Sequence, residues 1–113
     1  MGLLIGIVSL IAAGCLVAYA IVLTLRWVKE KIREKIQQKN AKKVAFMDLQ
    51  KLVDECPNEM SLDELLEEGN THVMASVDAY GQIDEVDLIK DTGYGDSDVD
   101  RMLGSERMVV VNA

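Results

Sequence analysis

The sequence predicts an α+β chain with one N-terminal transmembrane helix, a juxtamembrane amphipathic helix, and a small acidic domain of helix, β-hairpin, short helix and strand. Three observations lead there. Leu3 to Leu25 runs for 23 residues without a charged side chain. Charge then splits sharply: Arg26 to Lys43 carries eight Lys or Arg against two Glu, and Val44 to Ala113 carries four against seventeen Asp or Glu. Beyond Pro57, turn residues punctuate short apolar runs of helical or alternating pattern. The expected boundaries are 1–27 for a signal-anchor helix, 28–56 for the basic and amphipathic helix, and 57–113 for the acidic domain.

At about 1.5 Å rise per residue, a helix over Leu3–Leu25 would reach about 34 Å, enough to cross a hydrocarbon core of about 30 Å. No Lys or Arg precedes this run, and it continues past Ala18-Tyr19-Ala20, the one stretch that looks like a leader cleavage site. An uncleaved anchor is therefore expected. Positive charge stays on the cytoplasmic side. Arg26, Lys29, Lys31, Arg33 and Lys35 follow the run, with Trp27 at interface depth, and these six are the expected membrane-interface residues. The expected location is the cell membrane, single-pass, with the N-terminus outside and the C-terminal domain cytoplasmic. Gly2, Gly6, Ser9, Ala13, Ala20 and Thr24 fall on one face of the same helix. Small residues let helices approach closely in lipid, so this stripe is the expected helix-packing surface.

Arg26 to Glu55 contains no Gly or Pro. Val28, Ile32 and Ile36 recur every four residues, and Val44, Met47, Leu49, Leu52 and Val53 resume an apolar pattern after a polar break at Gln37–Lys43. This reads mostly as helix, stopped by Pro57. Ser61-Leu62-Asp63-Glu64 has the form of a capping box. Leu62, Leu65 and Leu66 then make an apolar face, and Gly69 closes the helix. Thr71 to Ala79 alternates, Tyr80-Gly81-Gln82 is a turn, and Ile83 to Lys90 returns as a second strand. Asp96 or Ser97 caps a brief helix through Val99, Met102 and Leu103, ended by Gly104. Met108 to Val111 is a last strand.

The run Val77-Asp78-Ala79-Tyr80-Gly81-Gln82-Ile83-Asp84-Glu85-Val86-Asp87-Leu88-Ile89 resembles the strand–turn–strand of TonB-type C-terminal domains. That resemblance implies a helix and a final strand after the hairpin, and a single membrane anchor before it. The sequence departs from the family in two ways. It lacks the long Pro-rich spacer, and its basic flank directs the domain into the cytosol instead of outside it.

Candidate chemistry is sparse. Asp96, Asp98 and Asp100 look like the start of a calcium loop, but such a loop needs Gly at its sixth position and Glu at its twelfth. Arg101 and Arg107 stand there. His72, the only histidine, has no partner at a motif spacing. Cys56 lies among Asp54, Glu55 and Glu59, which disfavour a thiolate, and Cys15 and Cys56 form no C-x-x-C pair. No catalytic, cofactor or metal site is expected. Seventeen acids beyond residue 43 repel nucleic acid. The expected function is non-catalytic: an adaptor or accessory subunit whose acidic domain docks on a protein partner by strand addition or charge complementarity. Membrane lipid is expected at the basic flank, and other chains, copies of itself included, along the small-residue stripe. The alternatives are an immunity protein that neutralises a toxin and a small holin-like oligomer.

Overall fold

The computed structural model describes residues 2–57 and 59–113, with Met60 described through its backbone alone. The elements in order are α1 Gly2–Ala12, β1 Val17–Ile21, α2 Leu25–Gln37, β2 Lys43–Asp48, α3 Leu49–Glu55, α4 Met60–Glu67, β3 His72–Val77, β4 Ile83–Asp91, α5 Ser97–Leu103 and β5 Met108–Asn112. The five strands form one sheet in the order β1-β4-β3-β2-β5. β1 runs parallel to β4, and the remaining neighbours are antiparallel.

The expected transmembrane helix does not form. Among the described residues no helix is long and apolar enough to cross a membrane. The cause is local. α1 ends after 11 residues, about 16 Å of helix. Gly14 follows with φ +76°, a left-handed conformation that a residue with a Cβ resists. Its N–H donates to the Ile11 carbonyl at 3.0 Å and the Cys15 N–H donates to the Leu10 carbonyl at 2.9 Å. Those paired bonds satisfy the last helical carbonyls and turn the chain back. Val17–Ile21 then leaves as a strand whose register pairs Val17 with Asp87, Tyr19 with Ile89 and Ile21 with Asp91. This finding points against a single-pass membrane protein with a signal anchor, an outside N-terminus and a cytoplasmic C-terminal domain.

A second correction concerns Arg26–Glu55. α2 occupies its first part as expected, with the Thr24 hydroxyl oxygen accepting from the Trp27 N–H at 3.1 Å. Lys43–Asp48, however, is a strand between β3 and β5. Val44 to Met47 are all buried because helices cover both faces of the sheet there. A strand buried on both faces loses its alternation, and a short apolar run then reads equally as helix. Asp48 ends the strand and caps α3, its carboxylate accepting from the Lys51 N–H at 2.7 Å.

The structure is thus a compact α+β domain of three layers. On one face, α1, α3 and α4 pack over Ala45, Met47, Val73, Ala75, Val86 and Leu88. On the other, α2 and α5 pack over Val44, Phe46, Met74 and Ile89. Odd and even positions of β2 and β3 separate onto the two faces, as strand geometry requires. Beyond Pro57 the chain forms α4, the β3–β4 hairpin, α5 and β5, but these do not stand as the expected small unit after a membrane anchor: their strands share one sheet with β1 and β2, and β2 separates β3 from β5. One further detail differs: α4 begins at Met60, with Glu59 at its N-cap position and no side-chain cap bond, so Ser61 lies inside the helix and closes no capping box.

The small-residue stripe does not persist as one face, because the chain stops being helical before Ala13. Gly6 faces the sheet instead: a Cβ there would lie 2.6 Å from Ile83 Cδ1, the tip of a half-buried side chain that can turn aside. Gly6→Ala should therefore raise unfolding free energy by about 0.5–1 kcal/mol, because it removes a glycine from the middle of α1. Ala13→Leu, at an exposed turn position, should change it by no more than about 0.5 kcal/mol. Urea denaturation followed by circular dichroism distinguishes the two.

Candidate functional site

Two features stand out when polar burial and apolar exposure are followed through the fold. The first is a buried charge cluster between α2 and β4. Lys31 and Lys35, four apart, share the inner side of α2, and Lys39 follows just past its C-terminus, exposed. Glu85 and Asp87 lie two apart and project from one face of β4. Lys35 is fully buried and its Nζ donates to Glu85 Oε1. The same nitrogen lies 2.7 Å from Asp87 Oδ2, and Lys39 Nζ lies 3.1 Å from Glu85 Oε2. Asp87 is fully buried, and the Lys35 ammonium is the cation it pairs with.

The two carboxyl groups respond oppositely. The hydrogen bond from Lys35 holds Glu85 below the usual carboxylate range, with Lys39 adding to it against a modest burial effect. Burial pushes Asp87 above that range, and Lys35 only partly offsets it. The cluster has no hydroxyl or thiol nucleophile among its charged members, and its lysine is locked between two acids. Among the described residues no three His, Cys, Asp or Glu side chains are placed to hold a metal ion. The arrangement neutralises charge at the α2–sheet contact and fixes the helix on the strand.

The second feature is the β1 edge. Ile7, Val8, Ile11 and Leu23 are the buried members of Leu3–Leu25. Ile5 remains 58 %, Val17 43 % and Val22 62 % exposed. Ala18 and Ala20 are also exposed, as is Cys15 just before the strand. The outer edge of β1 pairs with no described strand, and Val17-Ala18-Tyr19-Ala20-Ile21 carries neither charge nor proline. Proteins usually blunt such edges with charge, proline, a bulge or a covering element. At the opposite edge β5 is also uncharged, but its only large exposed apolar residue is Val110.

The sequence-expected site residues distribute as follows. Gly2, Gly6 and Ser9 lie on α1, Ala13 in the turn after it, Ala20 on β1, and Thr24 at the α2 N-cap. Arg26, Trp27, Lys29, Lys31, Arg33 and Lys35 all lie on α2. Trp27 meets Tyr19 of β1 edge-on at 5.7 Å between ring centres, and Lys31 Nζ stands 4.6 Å from the Tyr19 ring centre. Arg26 pairs with Glu30 at the surface. The buried role of Lys35 is not apparent from α2 alone. The usable signal lies in β4: Val86 and Leu88 face one way, so Glu85 and Asp87 face the other and require a cation.

Asp96 and Asp91 act as local fasteners. Asp96 Oδ1 accepts from the Asp98 N–H at 2.8 Å and caps α5, while Oδ2 accepts from the Leu25 N–H at 3.2 Å. Asp91 Oδ1 accepts from Leu23 and Gly93. His72 opens β3, half-buried, stacked on Phe46 at 5.3 Å and 2.8 Å from Thr71 Oγ1 through Nδ1. No family model, curated protein or solved structure matches this chain.

Two outcomes follow. Lys35→Met leaves two acids facing a neutral side chain, and should cost about 3–5 kcal/mol of stability. Combining it with Asp87→Leu should return most of that loss, since Glu85 keeps Lys39; a double-mutant cycle in urea measures both. Burial lowers the pKa of His72 against the weaker pull of Asp48, Asp91 and Asp100. The unfolded chain then takes up the proton first, so stability falls as pH drops below 6.5 toward the depressed folded value. His72→Phe should flatten the stability–pH curve between 6.5 and the carboxylate range.

Proposed function

We propose that this chain is a non-catalytic binding domain that docks on a protein partner by strand addition at β1. The observation that carries the proposal is the apolar, uncharged edge Val17–Ile21, which no further described strand covers and which exposed Val22 directly follows. A sheet edge offers a row of backbone N–H and C=O groups, and an extended segment of another protein satisfies them. Main-chain bonds then supply affinity, and alternate side chains supply selectivity. Tyr19 and Ile21 lie on the α2 side of β1, while Ala18 and Ala20 present little volume on the other. The partner strand this edge suits is uncharged and carries its large apolar side chains over Ala18 and Ala20. The acidic balance of the chain adds long-range attraction for a partner that is basic outside the contact.

The test places a photo-crosslinking amino acid at Ala18 and, as a control, at Ser105, which is exposed in the turn before β5, at the opposite edge of the sheet. A discrete protein adduct is expected from position 18 and not from position 105. Ala20→Lys should remove that adduct while leaving unfolding free energy within about 0.5 kcal/mol of the parent. No adduct at position 18, or the same adducts at both positions, contradicts the reading.

A further inference from the structure

A separate surface suggests a second binding activity. α1 covers β4 on one face of the sheet, and α3 and α4 cover the half of that face nearest the β2–α3 junction. Neither reaches the half beside the β3–β4 turn. A cleft of about 850 Å³ lies there, between α1 and the sheet. Its floor is Ala45, Val77, Ile83 and Val110, and Leu3 and Leu10 form the wall on α1. This volume falls within the range of small-molecule sites, which are mostly apolar with a few placed polar groups.

The polar groups are specific in sign. Lys42 and Lys43 stand at one rim, both exposed, and neither pairs with a carboxylate among the described residues. Lys43 precedes Ala45 by two residues on β2, so its side chain leaves the sheet on the cleft face. The carboxylate at the rim, Asp78, accepts from the Tyr80 and Gln82 N–H groups through Oδ1 and is held in the hairpin turn. The cleft therefore joins an apolar floor to two free cations, on a chain whose net charge is −7.

We infer that this cleft binds a single-chain amphiphile with an anionic head, its apolar tail on the Val77–Ile83–Val110 floor and its head group at Lys42 and Lys43. This activity is independent of the β1 edge, because β1 and β5 are opposite ends of the sheet and the cleft extends to β5. Charge complementarity selects the head, and burial of methylenes sets the affinity. Lengthening the tail by two carbons should tighten binding on the order of tenfold.

The experiment titrates the full chain with decanoate, decanol and decyltrimethylammonium, each below its micelle concentration, while methyl NMR signals are followed. Decanoate should give saturable shifts confined to Leu3, Leu10, Val77, Ile83 and Val110, and bind at least tenfold more tightly than decyltrimethylammonium. Lys42→Glu with Lys43→Glu should weaken decanoate at least tenfold and leave decanol within twofold. Ser9→Trp, an exposed α1 position at the cleft, should abolish binding of all three. Equal binding of the three amphiphiles, shifts spread over α2 and α5, or saturable binding of an acidic amphipathic peptide without any of decanoate would overturn the inference.

Discussion

β4 sits at the centre of the chain's energetics. Val86 to Ile89 are buried, so their backbone N–H and C=O groups have no access to water and each needs a partner. β3 satisfies one edge of β4 through a tight hairpin. The other edge is satisfied by β1, which arrives from far away in sequence and runs parallel. A parallel neighbour requires a crossover, and the β1–β4 connection is the whole of α2 to β3. Without β1, the inner edge of β4 would be exposed and the α2 layer would have half a sheet to rest on.

The same strand explains the charges. A helix laid across β1 and β4 must cover Asp87, and burying a lone carboxylate is costly. α2 supplies Lys35 at that point, with Glu85 shared between Lys35 and Lys39. The basic stretch that looks like a membrane flank is in part the counter-charge for acids some fifty residues later. The carboxylates of Asp91 and Asp96 extend this pattern, accepting from the N–H groups of Leu23 and Leu25 as the chain passes from β1 into α2. Several of the seventeen acids are thus structural bonds, not an undifferentiated acidic surface.

How much of this is legible in the sequence depends on turn chemistry. After Pro57, Gly69, Tyr80-Gly81, Asp96 and Gly104 mark ends that side-chain physics makes nearly unavoidable, and the elements between them follow. Before it, signals conflict. Gly14 is one glycine in an apolar run that would tolerate it inside a helix, and the bonds that make it a stop become visible only when Leu10 and Ile11 are placed. Val17–Ile21 and Val44–Met47 carry no alternation, so periodicity does not separate strand from helix. Hydropathy alone then favours one long helix. The open β1 edge is obscured for the same reason: the residues that make it apolar are those that make it look like a span. Lys35 hides among eight basic residues.

The fold depends on residues 17–21 forming a strand beside β4. The direct measurement is backbone NMR of the full chain, reading nuclear Overhauser contacts between amide and Cα protons. Contacts between Ala18–Ala20 and Leu88–Lys90 in parallel register are expected, with helical contacts ending at Ala12. Uninterrupted helical contacts from Leu3 through Leu25, with none to β4, would contradict it.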